Sequence, residues 1–170
     1  MPKIIENLEN RLMEEARRQV ETSGYGNVTI RSVASACGIG VGTVYHYYPS
    51  KDALIAAFML QDWNECIDTI LCVSETSARP EDVIRCIYDQ LRSFSQRYQA
   101  IFRDQSAASA FSGAFSTYHR MLRDQLAAPL RRFCDDPFTA EFIAEALLTW
   151  TVAGTDFDTM AGILTKLFNC

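Results

Sequence analysis

Thr29-Ile-Arg-Ser-Val-Ala-Ser-Ala-Cys-Gly-Ile-Gly-Val-Gly-Thr-Val-Tyr-His-Tyr-Tyr-Pro-Ser-Lys51 is the stretch on which the reading of this chain turns. Thr29 stands at an N-cap, where its hydroxyl can accept a hydrogen bond from a free amide of a helix predicted over Ile30 to Cys37. Val28, just before it, can staple onto the apolar face of that helix. Gly38-Ile39-Gly40 reads as a three-residue turn, and Gly38 gives it backbone freedom. A second short helix follows from Val41 to about Tyr47, and Pro49-Ser50 breaks it. Ile30, Val33, Ala34, Ile39 and Val44 are the apolar positions that lock the two helices together, with the small Ala34 at their close approach.

Outward from this segment the pattern is helix after helix. Ile5, Leu8, Leu12, Ala16 and Val20 form one stripe at three- and four-residue steps, predicting a helix from about Pro2 to Ser23. Gly24-Tyr25-Gly26-Asn27 ends it. Ser50 caps a long helix from Lys51 to about Leu71, and Pro80 opens another that continues to about Tyr98. A helix from about Gly113 to Phe133 is broken or kinked at Pro129, and two more cover Phe138 to Ala153 and Asp156 to Phe168. No alternating run predicts a strand. The fold class is therefore all-α: an N-terminal three-helix helix-turn-helix domain over residues 1–51, and a helical bundle over residues 52–170.

Composition bounds the rest. Hydrophobic residues at 48% and charged residues at 22% are ordinary for a globular protein with a sizeable core. No apolar run is long enough to cross a bilayer and the N-terminus lacks a signal-peptide core, which predicts a cytoplasmic protein with no membrane partner. The six cysteines, Cys37, Cys66, Cys72, Cys86, Cys134 and Cys170, form no C-x-x-C pair and have only His46 and His119 for company, so no metal site is expected. No nucleophile-base set, phosphate loop or shared carboxylate pair appears, so neither an enzyme nor a cofactor is expected; Glu14-Glu15, Glu81-Asp82 and Asp135-Asp136 read as solvated or capping charges. The net charge of −5 divides unevenly: residues 1–51 hold six Lys/Arg against five Asp/Glu, and residues 52–170 hold ten against sixteen. Any grip on nucleic acid must therefore come from placed side chains rather than bulk charge.

Helix, glycine turn and helix is the plan in which the second helix enters the major groove of DNA. The segment resembles the TetR family of regulators, whose members commonly read Gly-Tyr, then Thr, then a helix ending in Ala-Gly, then Val-Ser-x-Gly-Thr-x-Tyr-x-Tyr-Phe-x-Ser-Lys-x-x-Leu. The matching residues are Gly24-Tyr25, Thr29, Cys37-Gly38, Ile39 to Tyr48, Ser50-Lys51 and Leu54, over about the first third of the chain. Gly40 and Val41 depart from the pattern. Gly40 stands where the family has serine; it can cap but brings no hydroxyl. Val41 cannot bond a phosphate, though it can touch a thymine methyl.

Candidate contacts with double-stranded operator DNA follow. Thr43, Tyr45 and Tyr47 carry hydroxyls that can reach phosphates, which sets register rather than sequence. Gly42 lets the helix approach the backbone, and His46 can donate to a phosphate or a base edge. Gly40 and Val41 lead the helix into the groove. Lys51 joins a full charge to a helix N-terminus, and both favour a phosphate. Thr29, Arg31 and Ser35 can touch the backbone from the first helix of the motif, although Arg31 equally suits a solvated surface charge. Tyr48 suits core packing or DNA, and Tyr45 is open to both.

The resemblance further implies a C-terminal bundle that binds a small-molecule effector and forms a homodimer through its last two helices. Trp63, Tyr88, Arg92, Phe111 and Tyr118 are candidates for lining the effector pocket, with internal core as the competing account of the aromatic residues. Phe142, Leu147, Trp150, Ile163 and Leu167 are candidates for the dimer seam, again with core as the alternative. The function expected is that of a homodimeric repressor released from its operator by the effector. The competing reading is a helical ligand-binding or interaction protein with a degenerate reading head.

Overall fold

Capping side chains and glycines set the helix boundaries. The computed structural model describes residues 7–107 and 115–168, with side chains throughout except at 115–117. Every long regular element among the described residues is an α-helix. Helix α1 (Leu8–Ser23) buries Leu8, Leu12 and Ala16 of the predicted stripe and leaves Val20 half-buried, while Pro2 and Ile5 lie outside the described residues; it stops at Gly24, whose N–H donates to the Val20 carbonyl at 2.9 Å. A 3-10 turn over Tyr25–Asn27 leads to α2 (Ile30–Ala36).

Thr29 caps α2 as expected, and does so reciprocally. Its Oγ1 accepts the Ser32 amide at 3.0 Å, while Ser32 Oγ accepts the Thr29 amide at 3.1 Å. Such a cap contributes about 1 kcal/mol. Gly38, at φ 69°, closes α2. Its N–H donates to Ser35 O at 3.1 Å, and the Ile39 N–H reaches Ala34 O at 3.0 Å, the paired bonds of a Schellman turn. α3 follows as Val41–Tyr47.

α4 spans Lys51–Thr76 and α5 spans Pro80–Arg103, each five residues beyond the end read from the sequence. The extension of α4 rests on contacts distant in sequence. Ser74 is buried and donates to the Pro129 carbonyl at 2.9 Å, and Arg132 donates to the carbonyls of Ser74 and Ser77. α6 (Phe115–Ala127) tightens at Pro129 into a 3-10 segment over Ala128–Phe133, because proline has no N–H for the α-helical bond. α7 (Pro137–Val152) and α8 (Phe157–Leu164) start at Asp136 and Asp156, each capped onto the threonine three residues later. Those threonine hydroxyls and amides hold both aspartates below the usual carboxylate range. A last 3-10 turn covers Thr165–Phe168.

The described residues divide into two compact units: 7–62 with 99–107, and 63–98 with 115–168. The first turns of α4 and the end of α5 therefore go with the N-terminal unit. That unit closes over Leu12, Val33, Ala34, Val44, Leu54, Ile55 and Phe58. In it α1 is tied to α4 by Arg17, which donates to Asp62 at 2.6 Å and lies 5.3 Å from the Phe58 ring centre. The second unit packs Ile70, Ile84, Ile87, Leu126, Leu130, Ile143 and Leu147, with α6 running along α7.

Candidate nucleic-acid interface

α3 has one inward residue. Val44 is wholly buried, fixing which way the helix turns; Gly42, Thr43, Tyr45, His46 and Tyr47 are exposed, and Val41 is half-buried. About half of the Tyr45 side chain and 43% of Tyr47 face solvent, a large aromatic area for a seven-residue helix with nothing to cover it. The His46 and Tyr47 rings meet edge to face at 5.7 Å between centroids. Gly40 caps α3 without a side-chain bond. A Cβ there would meet only Thr43 Oγ1 at 3.9 Å, and one at Gly42 would meet nothing within 4 Å. Packing therefore demands neither glycine.

Thr29, Arg31 and Ser35 are exposed on α2. The Thr29 hydroxyl already accepts the Ser32 amide, so its first role is structural. Tyr48 is core: it is 6% exposed, and its hydroxyl donates to Glu9 on α1 at 3.4 Å. Burial, and then the Glu9 charge, push its phenol up to about 12.

Lys51 departs from the simple expectation of a side chain free to meet a phosphate. It is half-buried; its ammonium donates to the Tyr25 carbonyl at 3.2 Å and stands 4.1 Å from the centre of the Tyr25 ring. An ammonium carries three donors, so two remain. Ser50 Oγ takes the Ala53 amide at 3.0 Å, leaving the Lys51 and Asp52 amides at the N-terminus of α4 without an acceptor among the described residues. Lone amides beside a cation suit an anionic oxygen. Tyr25 and Asp52 join this corner: the sequence marks Tyr25 only as part of a turn and of the family pattern, and its partners lie 26 and 27 positions away.

The remaining candidates, apart from Phe111, lie in the second unit. Trp63 and Tyr88 are buried and partnered: Trp63 Nε1 donates to Gln125 at 2.7 Å, and the Tyr88 hydroxyl donates to the Thr155 carbonyl at 3.2 Å. Arg92 and Tyr118 are exposed, and Phe111 lies outside the described residues. Trp63 and Tyr88 thus spend their polar atoms inside the bundle, while Arg92 and Tyr118 face solvent. Of the seam candidates, Phe142, Trp150 and Ile163 are more than half exposed and Leu167 is half-buried. Leu147 is fully buried in its own unit, since five residues on from Phe142 it turns to the opposite side of α7.

No group of three or more His, Cys, Asp or Glu among the described residues is placed to hold a metal, and no described helix is long and apolar enough to cross a membrane. Burial raises the thiols of Cys37, Cys86 and Cys134, which lowers their thiolate fraction.

Two short helices joined by a Schellman turn, with the second presenting an uncovered face of hydroxyls, an imidazole and glycine backbone, define a helix-turn-helix reading head. Residues 12–58 match the model for bacterial regulatory proteins of the tetR family, and over this N-terminal stretch the chain is similar to that family. The transcriptional regulator UidR of Escherichia coli K12 is 36% identical over 52 residues, 31% of this chain and 26% of UidR; the chain thus aligns with about a quarter of the curated relative. Among solved structures, SCO7518 from Streptomyces coelicolor has a TM-score of 0.70 at 13% identity, covering 95% of this chain and 98% of that one. The TetR family repressor AlkX from Dietzia has a TM-score of 0.67 at 18% identity, covering 94% of each. At these identities the solved structures support the fold alone.

Proposed function

We propose that the chain is a DNA-binding transcription regulator that acts as a homodimer and is a repressor released by a small-molecule effector. The observation that carries DNA reading is the division of α3, with Val44 wholly buried and Thr43, Tyr45, His46 and Tyr47 facing out beside the start of α4. Thr43, Tyr45 and Tyr47 serve phosphates, and His46 serves a base edge or a phosphate. Arg31, Ser35 and Thr29 flank the backbone from α2, and Gly40, Val41 and Gly42 allow close approach. With few direct base contacts available, DNA shape supplies part of the specificity. A regulator is what the name of the relative UidR describes, and this favours a regulator over an enzyme.

The uncovered aromatic residues of α7 support dimerisation, which would set two reading heads on successive major grooves. Release requires an effector that binds the DNA-free form more tightly than the DNA-bound form. α4 has residues in both compact units and is the element through which that preference would act.

A gel-shift titration with the DNA upstream of the chain's own gene tests the reading. Retardation at low salt that weakens steeply as salt rises is expected. Folded protein that leaves the duplex unshifted at low salt would favour a helical ligand-binding protein with a degenerate head.

A further inference from the structure

We propose that Tyr25 and Asp52 are positioning residues that hold the Lys51 ammonium ready for a DNA phosphate, an inference that rests on the DNA reading above. Tyr25 is 4% exposed, in the turn between α1 and α2. The first two residues of α4 grip it at three points. Lys51 donates to its carbonyl at 3.2 Å and covers its ring face at 4.1 Å, while its hydroxyl donates to Asp52 Oδ1 at 2.5 Å. The hydroxyl bond anchors the far end of the ring, which fixes the face on which the ammonium rests. Asp104 also faces this corner: it acts on Tyr25 through its charge, and its Oδ2 would lie 3.9 Å from a Cβ on Gly26.

A free lysine side chain samples many rotamers and loses that freedom when it meets a phosphate. Here the loss is taken in folding, and two of the three ammonium donors remain for the ligand. Pinning also gives the Asp52 carboxylate a partner within the fold, beside the lone amides of α4. A carboxylate there would by simple charge counting oppose a phosphate, so its presence is explained if it holds Tyr25.

The test is duplex binding by the full chain over a range of salt, for wild type, Tyr25→Phe, Asp52→Ala, Lys51→Ala and the Tyr25→Phe/Lys51→Ala pair. Loss of one phosphate contact lowers the salt slope by about 0.9. Tyr25→Phe and Asp52→Ala are expected to weaken binding and to lower the slope toward that of Lys51→Ala, and the pair should bind no worse than Lys51→Ala alone. Charge counting expects the opposite for Asp52→Ala, namely tighter binding. A wild-type slope in Tyr25→Phe, tighter binding by Asp52→Ala, or losses that multiply in the pair would overturn the clamp while leaving the DNA reading intact. Failure of folded wild type to bind any duplex at low salt would instead overturn the DNA reading, and the clamp's purpose with it.

Discussion

Gly38 and Gly42 lie four residues apart and are glycine for different reasons. Gly38 sits at φ 69°, where a side chain is strained even though a Cβ would meet nothing within 4 Å. Gly38→Ala should cost about 1–2 kcal/mol, read as a lower midpoint in urea. Gly42 lies inside α3 with open space around it, so Gly42→Ala should raise stability by up to about 1 kcal/mol. It should nonetheless weaken DNA binding, because the added methyl stands where the backbone is proposed to approach the duplex. A variant that is more stable and binds equally well would show that the groove does not need this glycine. Thr151 gives a third single-residue test. Its hydroxyl is buried with no hydrogen-bond partner among the described residues, and Thr151→Val should stabilise the second unit by on the order of 1 kcal/mol. An unchanged or lower thermal midpoint would mean that the hydroxyl has a partner in solution.

At the scale of elements, the N-terminal unit is stitched by side chains that cross between helices. Tyr48 joins the end of α3 to Glu9 on α1, Tyr25 joins the α1–α2 turn to Asp52 on α4, and Arg17 joins α1 to Asp62 on α4. Both phenols hold their protons more tightly folded than unfolded, chiefly because they are buried: Tyr48 is pushed up to about 12, and Tyr25 is also raised. A raised phenol stabilises the fold fully below its unfolded value near 10, and this contribution fades as pH climbs through the folded value. Each tenfold difference in proton affinity is worth about 1.4 kcal/mol. Stability followed by helical circular dichroism should therefore fall between about pH 10 and 12, and Tyr48→Phe should flatten that fall. An equal fall in the variant would assign alkaline sensitivity to other groups.

These stitches also mark where local reading stops. Thr29, Ser50, Gly24, Pro80 and the Gly38 turn were legible because caps and turns act over three to five residues, and the α3 face was legible because one valine at helical spacing must point inward. The Tyr25–Lys51 contact, the last turns of α4 held by Pro129 and Arg132, and the inward turn of Leu147 depend on partners far away in sequence. Four of the five effector candidates are aromatic, and aromatic spacing alone does not separate a pocket wall from a core. Trp63 and Tyr88 lie in such a core, each with its polar atom satisfied inside the bundle.

For the whole molecule, the proposed dimer makes the sharpest claim. Phe138 is 71% exposed, and Phe142, Trp150, Val152 and Ile163 each exceed half. Such a set is more apolar surface than isolated exposed residues explain. Sedimentation of wild type should give twice the 19.2 kDa chain mass. Phe142→Glu with Trp150→Glu should return it to the monomer without loss of helix, since neither side chain is buried in its own chain. Wild type sedimenting as a monomer at micromolar concentration would leave the two-groove arrangement without support.

Gly40 gives the reading head a property that belongs to lineages rather than to one molecule. A side chain at this cap would find room, with only Thr43 Oγ1 near at 3.9 Å. A glycine-to-serine change would supply an amide cap and a phosphate-seeking hydroxyl at a fold cost close to zero, since glycine and serine caps differ by only a few tenths of a kcal/mol. Affinity for DNA could then drift up or down by single substitutions while the core around Val44 stays as it is. Selection on a promoter would meet little resistance from selection on folding.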